Sequence, residues 1–179
     1  MDAFTSVLSA ARAGADWAWE RIYADLAGSV IGYLRVHGAA EPEDLAGEVF
    51  LQVVRDLHRF RGDERDFRAW VFTIVHRRLL DERRRRARRP TVPMPEGADV
   101  VGGDVAEDAL TRVDHGHVLQ LLAGLPPDQR SVLLLRILGD MTIEEVAAAV
   151  GKRPGAVKAL QRRALKRVGK AYPSGEVRR

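Results

Sequence analysis

Residues 142–170 read TIEEVAAAVGKRPGAVKALQRRALKRVGK, and the local signals in this stretch predict two short helices joined by one tight turn. Thr142 followed by Glu145 is the pattern of a capping box, in which each side chain bonds a free backbone N–H at the start of a helix. Gly151 suits the left-handed residue that ends such a helix. Pro154 suits the first turn of the next helix, because its missing N–H needs no partner there. We therefore predict a helix-turn-helix.

The spacing within this stretch fits two crossing helices. Counted from Ile143, Ala147 is fifth, Gly151 ninth and Val157 fifteenth, where the motif needs a small side chain, a left-handed turn and a buried β-branched side chain. The alternative is an ordinary helical hairpin, but the polar residues of the second helix suit phosphates and base edges. The candidate base readers are Lys158, Gln161 and Arg162, and the other candidate DNA contacts are Arg153, Arg163, Lys166 and Arg167.

Composition excludes several classes of protein. The chain has 179 residues, of which 46% are hydrophobic and 30% charged, and this balance is typical of a folded globular protein. No run approaches the roughly 18 apolar residues of a membrane span, and no secretory signal is visible. The absence of cysteine excludes disulfides, thiolate zinc sites and cysteine nucleophiles. We expect a cytoplasmic protein that does not insert into a membrane.

The basic residues form two clusters, although the net charge is only +4. Residues 83–89 read RRRRARR, and residues 152–170 hold eight basic residues and no acidic one. Two separate cationic patches favour a polyanionic partner such as nucleic acid. The alternative is a pair of solvated basic faces.

Hydrophobic periodicity predicts an all-α fold of two small domains. Residues 1–89 carry apolar residues at helix spacing and form a predicted bundle of three or four helices. Residues 90–112 are rich in proline and glycine, which predicts a flexible linker that favours extended conformations. Residues 113–172 contain the helix-turn-helix, preceded by a helix that opens at Pro126-Pro127.

Two further stretches resemble a known family. Residues 42–90 read PEDLAGEVFLQVVRDLHRFRGDERDFRAWVFTIVHRRLLDERRRRARRP, and residues 125–136 read LPPDQRSVLLLR. The first resembles region two of the extracytoplasmic-function (ECF) sigma factors of the sigma-70 family, and the second resembles the start of their region four. Their order and the intervening linker also match the family.

The resemblance implies a polymerase-docking helix. The family's helix that begins Glu-Asp-Leu binds the largest subunit of RNA polymerase, which would place Asp44, Glu48 and Gln52 in the docking face. These residues lie at i, i+4, i+8 spacing and form one polar stripe. A solvated face is the alternative, and Gly47 stands where the family usually has glutamine.

The resemblance also implies capture of a flipped base of the minus-ten promoter element by the loop of residues 61–66. An aromatic wall and nearby cations would serve this purpose. Trp70 has an alternative role in the core, and His76 stands where the family often has asparagine. The candidate minus-ten and melting residues are Phe60, Arg61, Asp63, Phe67, Trp70, His76, Arg77, Arg78, Arg83 and Arg84.

Taken as a whole, the resemblance implies a sigma factor that binds core RNA polymerase and promoter DNA. From this resemblance we expect no enzymatic activity and no cofactor, and an anti-sigma factor as a further partner. The alternatives are a free-standing helix-turn-helix regulator and an RNA-binding or nucleoid-structural protein. His115 and His117 beside Asp114 lack further ligands at a suitable spacing, so we predict no metal site.

Overall fold

The computed structural model describes residues 3–88 and 119–171, and within these ranges every regular element is helical. The predicted linker and the segment around His115 lie outside the described residues. The helices are α1 (Ala3–Arg12), α2 (Asp16–Val36), α3 (Pro42–Asp56), a 3₁₀ turn (Leu57–Arg59), α4 (Glu64–Arg88), α5 (Pro127–Leu138), α6 (Ile143–Val150) and α7 (Pro154–Ala171). Residues 119–123 are also helical. The all-α prediction is confirmed.

Helices α2, α3 and α4 form the centre of the N-terminal half. Helix α3 starts with proline and carries Glu43 and Asp44 in its first turn, where carboxylates interact favourably with the helix dipole. Its buried stripe, Leu45, Val49 and Val53, faces the core as the periodicity predicted. Helix α4 contributes a second buried stripe, which consists of Phe67, Val71, Phe72, Ile74, Val75 and Leu79.

Helix α1 was not predicted from the sequence. Its buried residues Leu8 and Ala11 are three positions apart, and the ring of Phe4 lies 5.5 Å from the ring of Phe67. Over its ten residues, the pattern of apolar and small side chains is too short to predict a helix from periodicity. The helix is stabilised by tertiary packing, as is usual for helices of this length.

The helix-turn-helix forms as predicted. The side chain of Thr142 accepts a hydrogen bond from the backbone of Glu145 at 3.2 Å, and the Glu145 carboxylate accepts one from the backbone of Thr142 at 2.6 Å. Gly151 ends α6 with φ of +67°. Ala147 and Val157 are buried where the helices cross.

The two halves of the chain share one hydrophobic core. Val132 and Leu135 of α5, with Met141 and Val146 beyond it, belong to the same buried cluster as Phe72 of α4. Polar contacts also join the halves. Arg68 donates to the carbonyl of Leu138 at 3.0 Å, and Arg130 donates to the carbonyl of Val36 at 3.1 Å. The C-terminal half therefore packs directly on α2 and α4.

Candidate nucleic-acid and partner-binding surfaces

Helix α7 presents a cationic face to solvent. Val157 and Ala164 turn inward and are fully buried, which leaves the opposite side of the helix free. Five of the basic side chains predicted to contact DNA are exposed on α7, and Gln161 is half-buried. The exposed residues are Lys158, Arg162, Arg163, Lys166 and Arg167.

The basic residues of α7 have no carboxylate partner among residues 3–88 and 119–171. None of them forms an ion pair with a carboxylate in the part of the chain that the structure describes, and the same is true of Arg153 in the turn. Lys152, by contrast, pairs with Asp128 of α5 at 2.9 Å. Unpaired cations along an exposed helix attract phosphates and displace their counterions.

A cleft of about 520 Å³ opens beside the loop of residues 61–66. We call it the loop cleft. The ring of Trp70 stacks on the ring of Phe60 at a centroid distance of 5.2 Å, and both residues line the cleft. Arg59 and Arg61 provide cations at its edge. The remaining lining residues are Asp56, Asp66, Ala69, Thr73, Met141 and Glu145.

The loop is held by its own polar side chains. The carboxylate of Asp63 accepts from the backbone N–H of Asp66 at 2.8 Å, and the Asp66 carboxylate accepts from the N–H of Asp63 at 3.3 Å. This reciprocal pair satisfies free N–H groups at the start of α4. Gly62 has φ of +146°, where a side chain would be strained and would also meet Asp66. The loop therefore has a defined shape next to the cleft.

The predicted minus-ten residues with aromatic rings differ in their exposure: some line the loop cleft and others are buried in the core. Trp70, for which the sequence left a core role open, is half-buried and lines the cleft. Phe60 lines the cleft but is only 7% exposed, and Phe67 is buried behind it. His76 is also buried, and its Nδ1 lies 2.8 Å from the hydroxyl of Tyr33. In this arrangement, the side chains of Phe67 and His76 pack inside the bundle.

Burial keeps two histidines neutral near the contact between the halves. Burial, with the positive charge of Arg83, lowers the pKa of His76 to about 4. Burial, with the charges of Arg83 and Arg130, lowers the pKa of His37 to about 3. A charged ring is disfavoured in both positions because water is excluded and cations lie nearby.

The predicted arginines of α4 differ in their availability. Arg77 is exposed, and Arg84 is exposed beside Asp81. Arg83 is half-buried and donates to the carbonyl of His37 at 2.6 Å. Arg78 donates to the side chain of Gln52 at 2.8 Å and pairs with Glu48 at 3.5 Å. Arg78 and Arg83 thus already have partners within the N-terminal half.

The predicted docking stripe on α3 is also divided. Asp44 is exposed on the outer face of the helix. Glu48 and Gln52 are half-buried and contact Arg78, and Glu48 lies 3.7 Å from Arg85 as well. Within the part of the chain that the structure describes, Asp44 is the member of this stripe without a side-chain partner.

Comparison with known proteins accounts for both halves. Residues 21–89 match the family described as Sigma-70 region 2, and residues 116–168 match Sigma-70, region 4. The chain is 40% identical over 132 residues to the ECF RNA polymerase sigma factor ShbA of Streptomyces griseus, covering 70% of this chain and 69% of ShbA. The chain belongs to the ECF family of RNA polymerase sigma factors.

Other relatives agree with this ECF assignment. The ECF RNA polymerase sigma factor BldN of Streptomyces coelicolor is 32% identical over 167 residues, which cover 91% of this chain and 63% of BldN. The chain therefore spans about two thirds of the length of these curated relatives.

Solved structures of low sequence identity share the ECF sigma fold. The structure of CnrH in complex with the cytosolic domain of CnrY matches with a TM-score of 0.62 at 22% identity, covering 98% of this chain and all of that one. The sigma factor RpoE in complex with the anti-sigma factor NepR, from Bartonella quintana, matches with a TM-score of 0.65 at 18% identity. It covers 88% of this chain and 98% of RpoE.

Sequence reasoning missed the apolar part of the outer face of α3 in this ECF factor. Leu51 is 65% exposed and Val54 is 48% exposed, and both lie on the side of the helix that carries Asp44. Tyr23 of α2 is also exposed, and its ring packs on Phe50 at 4.8 Å. The signal was present in the sequence, since Leu51 and Val54 fall outside the buried stripe of Leu45, Val49 and Val53.

Within residues 3–88 and 119–171, no helix is long and apolar enough to span a bilayer. The same residues contain no cluster of three or more metal-ligating side chains.

Proposed function

We propose that this chain is a promoter-specificity subunit that binds core RNA polymerase and directs it to promoters. The polymerase supplies the chemistry, and the chain supplies three contact surfaces. The observation that carries the proposal is the presence of two surfaces on one ECF sigma fold: the exposed apolar face of α3 and the exposed cationic face of α7. Such a protein works in the cytoplasm, where it is nucleoid-associated when bound to polymerase.

The first surface is the outer face of α3, which we assign to polymerase. An exposed leucine and valine beside a free carboxylate form an apolar centre with a charged edge, which is typical of a protein-binding site. We call Asp44, Leu51 and Val54 the docking face. Glu48 and Gln52 lie at its margin, where they hold Arg78.

The second surface is the loop cleft, which we assign to an unstacked base of the minus-ten element. Trp70 offers a stacking surface, and Arg59 and Arg61 offer cations for the adjoining phosphates. Arg77 and Arg84 on the exposed side of α4 extend this path along the strand.

The third surface is α7, which we assign to the minus-thirty-five element in duplex DNA. We assign the residues near its start, Lys158, Gln161 and Arg162, to base edges in a major groove. Arg163, Lys166 and Arg167 follow as phosphate contacts. A free-standing regulator would use the same helix but would have no need of the docking face.

The test is assembly with sigma-free core polymerase, followed by transcription from a library of promoter fragments. We expect a stable complex and selection of defined start sites. The variant Leu51→Asp should weaken polymerase binding at least ten-fold, because it places a charge in the apolar centre of the docking face. Thr5→Asp adds the same charge at an exposed position of α1 and should bind like the parent chain.

The outcomes are separable. If no complex forms with the parent chain, the polymerase-binding function is wrong. If the parent chain binds and Leu51→Asp binds equally well, the docking face lies elsewhere. Duplex binding by α7 should be unchanged in both variants.

A further inference from the structure

Another cleft, of about 440 Å³, opens beside the segment that leads into the loop of residues 61–66. We call it the second cleft. Its volume lies within the range of roughly 300–1,000 Å³ that is usual for ligand sites. The end of α1, the first turns of α2, the end of α3 and the 3₁₀ turn all contribute to it. The lining residues are Ala11, Arg12, Gly14, Trp19, Val54, Leu57, His58 and Arg61.

The second cleft contains cations and no carboxylate. Arg12 and Arg61 line it, and none of its other lining residues is acidic. Within residues 3–88 and 119–171, neither arginine forms an ion pair. An anion in this cleft would therefore meet positive charge that no neighbouring carboxylate offsets.

The two guanidinium groups are held close together by the backbone. Nη2 of Arg12 donates to the carbonyl of Phe60 at 2.8 Å, and Nη1 of Arg61 donates to the same oxygen at 2.7 Å. Arg12 also donates to the carbonyl of Leu57 at 3.4 Å. Arg61 likewise donates to the carbonyl of His58 at 2.8 Å. Like charges fixed side by side repel one another, so a bound anion would stabilise this arrangement.

Trp19 provides an aromatic surface in the same cleft. Its side chain packs on the core but is only half-buried, so part of it is available to a ligand. Val54, which is 48% exposed, adds an apolar contact. A nucleotide combines a flat base that stacks on aromatic side chains with an anionic phosphate that binds cations. The second cleft thus offers both of the contacts that a nucleotide needs.

The second cleft continues two surfaces that are already described. Arg61 lines both this cleft and the loop cleft, so a strand that leaves one of them meets the other at a shared cation. Val54 belongs both to the second cleft and to the docking face, which places the cleft at the edge of the polymerase contact. This continuity favours a strand over an isolated ligand.

We propose that the second cleft binds a further nucleotide of the single strand that enters the loop cleft. The base stacks on Trp19, and the phosphate lies against the guanidinium groups of Arg12 and Arg61. This inference rests on the proposed role of the loop cleft. The strand is then held at two separate positions, one beside Trp70 and one beside Trp19.

The test is an abasic scan in the complex of the full chain with core polymerase. A fluorescein-labelled single strand is taken from the promoter fragments that this complex selects, and each base in turn is removed while the sugar-phosphate backbone is kept. Binding is measured by anisotropy. We expect two separate positions at which loss of the base weakens binding roughly five-fold or more, the effect of one stacked base.

Three leucine variants assign these positions to side chains. Trp19→Leu should abolish the sensitivity at one position, and Trp70→Leu should abolish it at the other. Leucine keeps apolar packing in both variants. Trp17→Leu is the matched control, because Trp17 is 55% exposed two residues earlier and does not line the second cleft. Both sensitive positions should remain in that variant.

A second measurement isolates the phosphate contact. Arg12→Gln should lower the slope of log affinity against log salt concentration by about 0.7, the contribution of one single-strand phosphate. Arg12→Lys keeps the charge and should restore the slope. Arg21→Gln removes an exposed guanidinium that pairs with Asp25 and should leave the slope unchanged. If Arg12 only held the backbone, its loss would change affinity but not this slope.

The outcomes separate the two clefts. A single sensitive position that Trp70→Leu abolishes would overturn the second subsite and leave the loop cleft intact, as would two positions that both persist in Trp19→Leu. Adenosine monophosphate tests for a free ligand: if Arg12→Gln weakens its binding while the scan shows one position, the strand assignment is wrong. Failure of the parent complex to bind any strand would reject the proposed role of the loop cleft itself.

Discussion

Nε2 of His37 lies 3.1 Å from the hydroxyl of Ser131, and this buried contact joins the N-terminal half to the C-terminal half. Nδ1 of the same ring lies 2.8 Å from the carbonyl of Tyr33 and donates to it, so the neutral ring has Nε2 available to accept from the serine. A protonated ring would carry a donor at both nitrogens and would lose this acceptor. Acid should therefore weaken the contact between the halves.

Acidification from pH 6.5 to pH 5 should lower the free energy of unfolding. His37 and His76 have folded pKa values of about 3 and about 4, below the ordinary value of 6.5. The unfolded chain therefore binds more protons in this window, and stability falls as pH falls. The expected loss is up to about 1.4 kcal/mol per pH unit for each histidine, measured by urea denaturation.

The control for this prediction is a third histidine. His58→Gln changes an exposed ring and should leave the pH dependence intact, whereas His37→Gln with His76→Gln should flatten it. A hydrogen bond from Arg35 lowers the pKa of Glu43. Burial opposes ionisation of Glu145, but hydrogen bonds from Thr142 and Arg65 lower its pKa. The stability that these two carboxylates contribute is therefore lost at pH values below the window of this experiment. A pH dependence that survives in the double variant would contradict the assignment.

Gly151→Ala should destabilise the protein by about 1 kcal/mol, because φ of +67° at this position disfavours any side chain. Gly28→Ala is the matched change within a regular helix. Gly28 lies exposed in α2 with nothing within 4 Å of an added methyl, so alanine should stabilise by about 0.5–1 kcal/mol. Thermal denaturation of both variants checks the opposite signs, and two equal effects would refute the prediction.

Arg12→Ala should increase the mobility of the segment that leads into the loop beside the cleft. The Arg12 guanidinium donates to the carbonyl of Phe60 at 2.8 Å and to that of Leu57 at 3.4 Å, so α1 holds the segment that leads into the loop. We expect a loss of about 1 kcal/mol in stability. Hydrogen exchange should be faster at residues 57–62.

The comparison for Arg12 is Arg21→Ala, which removes an exposed pair with Asp25. That pair contributes little, so exchange in the loop should be unchanged. Equal protection of the loop in both variants would mean that α1 does not brace it.

Lys166→Ala should reduce the salt dependence of duplex binding by the polymerase complex. Each phosphate contact contributes about 0.9 to the slope of log affinity against log salt concentration. Lys166 is an exposed cation of α7 that has no ion pair within the described residues. Lys152→Ala should leave the slope unchanged, because Asp128 already pairs with Lys152. Gln161→Ala should change the base preference and leave the slope unchanged. If the slope falls equally in the Lys166, Lys152 and Gln161 variants, Lys166 is not a specific phosphate contact.

Local sequence signals predicted the helix-turn-helix well, because each of its features depends on neighbouring residues. The capping box needs Thr142 and Glu145 alone, and the turn needs a residue that tolerates positive φ at Gly151. The buried stripe of α3 was equally readable, since helix spacing puts Leu45, Val49 and Val53 on one side.

Contacts between distant residues could not be read in this way. Nothing near Arg78 in the sequence indicates that Glu48 and Gln52 hold its side chain, and nothing near His76 indicates that Tyr33 lies against it. The same is true of the shared core, where α5 and α6 cover α4. The sequence predicted the chemical types needed at the candidate surfaces but not which of those side chains point outward.

The shared core has a consequence for regulation by mass action. Since Phe72 and Met141 belong to one polypeptide, association of the halves is a first-order event that dilution cannot reverse. A ligand opens such a contact only through its higher affinity for the separated state, and by no more than that difference. The concentration of the protein therefore sets how many molecules are available, but it does not change the fraction of them in which the two halves are associated.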